Sequence, residues 1–464
     1  MVNAAPRRTL RIMLSLVLCA AVLVPLATAT PMAVASIDSE HPPTWPVGAS
    51  ISVGTVGTTT AQLSWTAAED NSGYIDEYRV YLNGSGTPYA TPSTNSVSLT
   101  GLTPGTHYDV RIEAVDGSGS ASSPSNGFSL SPRHNWSMGQ NPHSVKAEDV
   151  NGDGDVDLIV AAAGSDGVTI RLGDGNGGFG PQLGPFRSGN DVGSHEVYPK
   201  NAVVADFDKD GDADLVVANQ NSSSIGILIG NGNGTFQSVD EYDTCSGAHD
   251  VAVGEFTGDS DVDVVVACHG RAYITLYEGD RDGTFSNRSD IATGAPDIPG
   301  CVAPPLEGNC DHGIVAGDFN GPGADDVAIA MYRPIYATVM LGNGNGTFQS
   351  PVNYTAEGHT HDIATGDFDG DGYPDLVTAN ESADSASVFI NDGDGTFSAG
   401  PDLPAANGPK GVTVGDINGD GHPDIAIGSD GGNYPLQQTG GGDFVTLWLG
   451  DGDGTFTLAG DYGN

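Results

Sequence analysis

Apolar and polar positions alternate with a period of two in the first third of this chain. Ala61-Gln-Leu-Ser-Trp65 alternates around a Trp, and Tyr78-Arg-Val80-Tyr81 reads as a second strand. Leu102-Thr-Pro104-Gly105-Thr-His-Tyr108-Asp-Val110-Arg-Ile112-Glu-Ala114 sets Tyr, Val, Ile and Ala on one face and Asp, Arg and Glu on the other. That alternation predicts half-buried strands, and their spacing predicts a sandwich over residues 47–132 with His107 turned to solvent. From about residue 133 the apolar runs become continuous: Ala202-Val-Val-Ala, Leu215-Val-Val-Ala, Ser224-Ile-Gly-Ile-Leu-Ile, then Phe236-Gln-Ser-Val. Four short strands in a unit of 49 residues fit a propeller blade, whose sheet buries both faces only by stacking on its neighbours. The expectation is an all-β chain.

Between the first two strands of each unit lies an acidic loop, seen best in Asp367-Phe-Asp369-Gly-Asp371-Gly372-Tyr373-Pro-Asp375. Hard oxygen donors at alternate positions, with a Gly that allows a sharp turn, suit Ca2+. The loop opens like an EF-hand, but its twelfth residue is Thr378, inside a strand, so Asp375 closes the ligand set and the Tyr373 carbonyl serves as seventh position. Six copies open at Asp149, Asp206, Glu255, Asp318, Asp367 and Asp416, spaced 57, 49, 63, 49 and 49 residues apart. A Gly-rich turn ending in Phe179, Phe236, Phe285, Phe348, Phe397 or Phe456 follows each. A fixed period of this size marks a repeat architecture.

Residues 1–35 read as an export signal: Arg7, Arg8 and Arg11, an apolar run from Ile12 to Leu26, then small residues with cleavage sites after Ala29 or Ala35. The paired arginines loosely match a twin-arginine signal. Leu18 before Cys19 argues against a lipid anchor, and no later segment is apolar enough to span a bilayer. The mature chain is therefore expected to be secreted or held at the cell surface, with residues 36–46 as linker. It keeps four cysteines, Cys245, Cys268, Cys301 and Cys310. An even number in an exported protein favours disulfides, 301 with 310 and 245 with 268. His269 and His312 adjoin two of them, but the spacing fits no zinc motif. The formal charge of −44 disfavours nucleic acid as a partner and does not name one.

The Pro104-Gly-Thr-His-Tyr108 turn makes the first domain resemble a fibronectin type III domain, whose Tyr ties a corner of the sandwich. Asp-x-Asn-Gly-Asp-Gly-x-x-Asp followed by Leu-Gly-Asn-Gly-x-Gly-Thr-Phe resembles the FG-GAP/VCBS repeats of integrin-like β-propellers, over residues 133–464. The resemblance implies a calcium ion in each acidic loop, on one face of the disc. Four copies carry the full set: Asp149, Asn151, Asp153 and Asp157; Asp206, Asp208, Asp210 and Asp214; Asp367, Asp369, Asp371 and Asp375; Asp416, Asn418, Asp420 and Asp424. Asp155, Asp212, Tyr373 and His422 hold position seven in these. A weaker copy has Glu255, Thr257, Asp259 and Asp263 with Ser260 in place of Gly, and another keeps Asp318, Asn320 and Asp326 but has Pro322 for the middle Asp. Six blades are expected, with seven as the alternative, and Phe128-Ser-Leu-Ser or Phe456-Thr-Leu-Ala could supply a closing strand.

Six residues before each loop stand His143, Lys200, His249, His312, His361 and Lys410. In the family's arrangement they ring the channel mouth opposite the calcium ions, with His195 and His359 just upstream. Duplication alone would copy a structural side chain into every unit. The functional reading is a pocket for an acidic ligand such as a uronate sugar or a carboxylated peptide. Two classes of function follow. One is a non-enzymatic recognition or adhesion protein binding an extracellular glycan or protein through the propeller face. The other is a polysaccharide lyase or hydrolase that uses His and Lys at the mouth as base and carboxylate anchor. No catalytic constellation is apparent elsewhere in the sequence.

Overall fold

The structure is a computed structural model. It describes residues 42–463 other than 47–48, 58, 71–74, 104–107, 118, 124–127, 131–136, 176–177, 191–196, 270, 295–312, 332–334 and 431–443. Residues 1–35, read above as an export signal, most of the expected linker, His107, His195, Cys301, Cys310 and His312 lie outside the described residues. The chain divides into two units between Trp136 and Ser137.

The first unit is a sandwich of two three-stranded sheets. One contains Ile51–Val56, Thr60–Trp65 and Ser96–Thr100; the other contains Ile75–Leu82, Tyr108–Asp116 and Phe128–Leu130. The alternation read from the sequence is the burial observed: Ala61, Leu63 and Trp65 are buried from one sheet, Val110, Ile112 and Ala114 from the other, in a single core. Trp65 meets Tyr78 edge-on at 5.3 Å between ring centroids. The Tyr108 hydroxyl accepts the Thr103 N–H at 2.8 Å, which is the corner tie. Phe128–Leu130 pairs antiparallel with Tyr108–Val110 as a strand of this sandwich. It is therefore not a closing strand for the repeat array, contrary to the first alternative above.

The second unit is a β-propeller array of four-stranded antiparallel sheets, six among the described residues, each built from strands consecutive in the chain. The inner strands are Pro142–Glu148, Pro199–Ala205, Ala248–Gly254, Ile314–Gly317, Thr360–Gly366 and Pro409–Gly415. Each leads through an acidic loop into a second strand, Asp157–Ala162, Asp214–Asn219, Asp263–Cys268, Asp326–Met331, Asp375–Asn380 or Asp424–Ser429. The first and last sheets have their own outer strands, Leu183–Arg187 and Phe456–Gly463, so neither borrows one. In the second to fifth sheets the second strands are buried on both faces because a sheet lies on either side, which explains runs such as Leu215-Val-Val-Ala. Each core accordingly lies between sheets: Ile159 and Ile170 of the first pack with Leu215 and Val217 of the second, and Leu376 of the fifth with Ala328 and Val339 of the fourth. Successive inner strands lie against one another from the first sheet to the sixth.

In the third sheet, Cys245 and Cys268 form a disulfide with Cα atoms 5.9 Å apart. It ties the entry of the inner strand to the end of the second, as the spacing had suggested.

Candidate metal centres and the channel mouth

All six acidic loops share one clasp. The ninth residue, Asp157, Asp214, Asp263, Asp326, Asp375 or Asp424, is fully buried. Its Oδ2 accepts the N–H of the loop's second residue at 2.7–2.9 Å. Its Oδ1 accepts an N–H at the start of the Gly-rich turn, from Gly173, Gly230, Gly279, Gly342, Asn391 or Gly450, at 2.6–2.9 Å. Sequence reasoning saw this residue as the last ligand of the loop. The structure also makes it the tie between the two motifs, which gives a reason for their recurring together. Burial pushes all six carboxyls up, Asp326 and Asp375 to about 6, against the backbone donors that hold the charged form.

The first ligand is aimed by the loop's own backbone. Asp367 takes the Gly370 N–H on Oδ1 and the Gly372 N–H on Oδ2, at 2.8 and 3.1 Å, and Asp149 and Asp416 repeat the pattern. Gly370 and Gly372 have φ of +77° and +93°, so the Gly positions are required by the turn. Two loops bring carboxylate oxygens within 4.8 Å of one another: Asp206, Asp208 and Asp210, and Asp367, Asp369 and Asp375. Asp206 Oδ1 and Asp318 Oδ1 are buried with no hydrogen-bond donor among the described residues, positions that a cation would complete. Clusters that could hold a metal are therefore present, and their hard, all-oxygen character suits Ca2+.

The position-seven side chains point away from the ligand set. A Cβ on Gly175, Gly232, Gly393 or Gly452 would lie 2.3, 2.4, 3.1 or 2.2 Å from the side chain of Asp155, Asp212, Tyr373 or His422. These side chains cover the Gly-rich turn of their own sheet, which leaves the main-chain carbonyl as the donor from that position. In the fourth loop, Asn320 Nδ2 donates to both oxygens of Asp326 at 3.0 and 2.8 Å, so a neutral amide already engages the closing carboxylate.

At the opposite end of the inner strands, the aligned His and Lys positions fall at β-bulges. Pairing skips one residue between 142 and 144, 199 and 201, 248 and 250, 360 and 362, and 409 and 411. The skipped residues are His143, Lys200, His249, His361 and Lys410. A bulge re-aims the extra side chain, so the repetition reflects a shared backbone device. Lys200 Nζ lies 3.5 Å from His143 Nδ1, and Lys410 Nζ lies 3.3 Å from His361 Nε2. Each pair joins one sheet to the next. Around them stand residues the sequence did not single out. Tyr198 Oη is 3.1 Å from His143 Nε2, and Lys200 lies over the Tyr198 ring at 5.3 Å. Glu381, 3% exposed, takes an ion pair from Lys410. Gln220 meets His269 at 3.5 Å. Tyr198 sits two residues before the ring position and Glu381 just after a second strand, offsets that the ligand spacing does not highlight.

Between the loops and the mouth, Asp362 of the fifth inner strand feels the charges of Asp250 from the third and Lys146 from the first. Asp250 Oδ2 accepts the Ile314 N–H at 2.8 Å and Asp362 Oδ2 the Val412 N–H at 3.0 Å, each from the following sheet. Burial, then the charge of Asp250, pushes Asp362 up to about 6, while Lys146 opposes the shift.

An all-β sandwich followed by stacked sheets with acidic hairpin loops defines a class of modular repeat protein, and the family comparisons agree. The FG-GAP-like repeat family matches residues 149–217, 206–266, 318–378 and 367–427, the FG-GAP repeat family matches 409–448, and the fibronectin type III family matches 42–129. The chain belongs to the FG-GAP repeat proteins and carries a fibronectin type III domain at its N-terminal end. Chitinase Chi52 of Paenibacillus xylanexedens is 27% identical over 205 residues, 43% of this chain and 35% of that one. Chitinase D of Niallia circulans is 40% identical over 72 residues, 16% of this chain and 13% of that one. The chain thus spans about a third or less of the length of these curated relatives. Among solved structures, an Agrocybe aegerita lectin that recognises non-reducing terminal N-acetylglucosamine aligns over 83% of this chain and 93% of its own, with 20% identity and a TM-score of 0.49. No helix among the described residues is long and apolar enough to cross a membrane.

Proposed function

We propose that this chain is a secreted, calcium-stabilised recognition protein that binds an extracellular glycan at the propeller mouth, with the fibronectin type III domain as spacer. The observation that carries this reading is the pair of inter-sheet His–Lys contacts, His143–Lys200 and His361–Lys410, at matching bulges. A chain with only 16 Lys and Arg against 60 Asp and Glu places two of its lysines there. Lysine beside a His nitrogen suits a carboxylated or sulfated sugar. The acidic remainder of the disc opposes such a ligand only at short range, because the Debye length is about 8 Å at physiological salt. Partial likeness to chitinases supports an extracellular, carbohydrate-directed role.

Calcium belongs to the same reading. The first, second, fifth and sixth loops hold one ion each through their first, third, fifth and ninth residues and the seventh carbonyl. The bound ion supplies charge neutralisation that fixes each inner hairpin.

The test is binding of chito-oligosaccharides and oligogalacturonates by calorimetry, alongside a glycan array. Binding lost in Lys200→Ala supports the reading, and a silent array overturns it. The relatives' names favour one second reading, catalysis on a polysaccharide. Release of unsaturated or reducing sugar, lost in His361→Ala, would establish it in place of simple recognition.

A further inference from the structure

Three departures from the repeat's glycine pattern converge on one loop. Position four of the acidic loop is Gly in five copies, and in the second it is Lys209, with φ of +60°. Position six is Gly in five copies, and in the third it is Ser260, with φ of +73°. The third residue of the Gly-rich turn is Gly in five copies, and in the third it is Arg281. These three residues meet. Lys209 leaves its own loop and donates to the Ser260 carbonyl at 2.6 Å, with Nζ 2.5 Å from Asp261 Oδ1. Arg281 Nε reaches the same Asp261 oxygen at 3.1 Å. A non-Gly residue in left-handed backbone is costly and persists where the surroundings demand it. Here two such residues are bonded to each other across neighbouring sheets.

The ligand set of the third loop is altered to match. Its opening residue is Glu255, whose Oε1 gathers the N–H groups of Thr257, Gly258 and Asp259 on one oxygen. In the first, fifth and sixth loops the two oxygens of the first Asp are shared between the fourth and sixth N–H groups, as Asp367 shows. The longer side chain is thus folded onto its own backbone.

We infer that Lys209 and Arg281 serve the third loop in place of a bound calcium ion, so that this loop latches the second and third sheets without metal. Asp261, the position-seven carboxylate of this loop, faces two fixed cations, and Lys209 also holds the position-six carbonyl. A tethered ammonium needs no free ion to neutralise the loop, and its charge repels an arriving dication. The calcium requirement is therefore uneven around the array. The first, second, fifth and sixth loops depend on the ion, and the third is closed by the chain itself. This inference rests on the calcium reading of those other loops.

Metal analysis of the full purified chain, equilibrated in calcium and freed of excess ion, tests it. Asp369→Ala is expected to lose one calcium per chain and Asp259→Ala none. The triple variant Lys209→Gly, Ser260→Gly, Arg281→Gly restores the repeat pattern and is expected to gain one. Loss of an ion in Asp259→Ala, or no gain in the triple variant, overturns the inference while leaving the other loops intact. If Asp369→Ala also loses none, the calcium reading itself falls and takes this inference with it. Should the triple variant fail to fold, the contrast between Asp259→Ala and Asp369→Ala decides alone.

Discussion

The ring of Phe368, second residue of the fifth acidic loop, meets the ring of Phe456 in the sixth sheet edge-on, with centroids 5.3 Å apart and planes at 73°. The contact recurs from sheet to sheet as Phe207–Phe285, Phe256–Phe348 and Phe319–Phe397. The Phe368 N–H is held by Asp375, and its carbonyl accepts the Gly454 N–H of the next sheet at 3.0 Å. The third and fifth acidic loops therefore each grip the next sheet through a ring and a main-chain bond. Phe368→Ala is expected to destabilise the array by about 3–5 kcal/mol, the usual range for emptying a buried aromatic site. A double-mutant cycle with Phe456→Ala in denaturant unfolding should show a coupling of about 0.5–1.5 kcal/mol beyond area loss. Additive losses would mean that the rings merely fill space.

Much of this was legible because the signals are periodic. The burial of Ala61, Leu63 and Trp65 follows from alternation, and that of Leu215-Val-Val-Ala from an unbroken apolar run. The candidate metal ligands were readable because oxygen donors at alternate positions leave a pattern within nine residues. What stayed hidden depends on contacts between units. Phe368 and Phe456 are 88 positions apart, and nothing local says that they touch. Phe128-Ser-Leu resembles an outer-strand tail, yet it pairs with Tyr108–Val110 inside the sandwich. Asp375 announces itself as a ligand, while its bond to the Asn391 N–H needs the third strand in place. Glu381 meets Lys410, and Tyr198 meets His143, only once neighbouring sheets are in place.

Chelation should lower the melting temperature substantially, since an ion that binds only the folded state stabilises it by mass action. At free calcium 100 times Kd that amounts to about 2.7 kcal/mol per site. Asp371→Ala, which removes one side-chain ligand, is expected to reproduce part of the loss and to leave less for chelator to take. Calorimetry with and without excess chelator checks both. An unchanged melt would exclude calcium from the stabilising role.

The pH dependence can be assigned a sign from Asp362. Its folded-state pKa of about 6 lies above the ordinary carboxylate value of 3.8, so the folded chain takes up a proton that the unfolded chain does not. Stability from this group is therefore gained as pH falls from above 6 toward 4 and lost as it rises through that window. The groups facing it are Asp250 and Lys146, of opposite effect. In excess chelator, melting temperature should rise as pH is lowered from 8 to 5. Asp362→Asn should reduce the slope, since an amide does not titrate, and leave the share of Asp326 and Asp375, which burial also raises to about 6. A slope of opposite sign, or one unaltered by the substitution, would show that other groups govern it.

The two lysines at the mouth should respond differently, although both occupy the same bulge position. Lys410 is ion-paired to Glu381, whose side chain is 4% exposed. Removing it leaves a buried carboxylate without its cation, which typically costs about 3–5 kcal/mol for a fully buried pair. Lys410 is itself 29% exposed, so a smaller loss, about 2 kcal/mol, is expected for Lys410→Met. Most of that loss should return in the double variant with Glu381→Gln, because the amide needs no counter-charge. Lys200 instead approaches the His143 ring nitrogen at 3.5 Å and lies over the half-buried Tyr198 ring. Lys200→Ala should leave the melting temperature within about a degree, as surface substitutions usually do. Its glycan affinity should nevertheless drop. Thermal melts and glycan titrations on the same three variants separate the roles: equal destabilisation by Lys200→Ala and Lys410→Met would make both lysines structural and remove the mouth as a binding site.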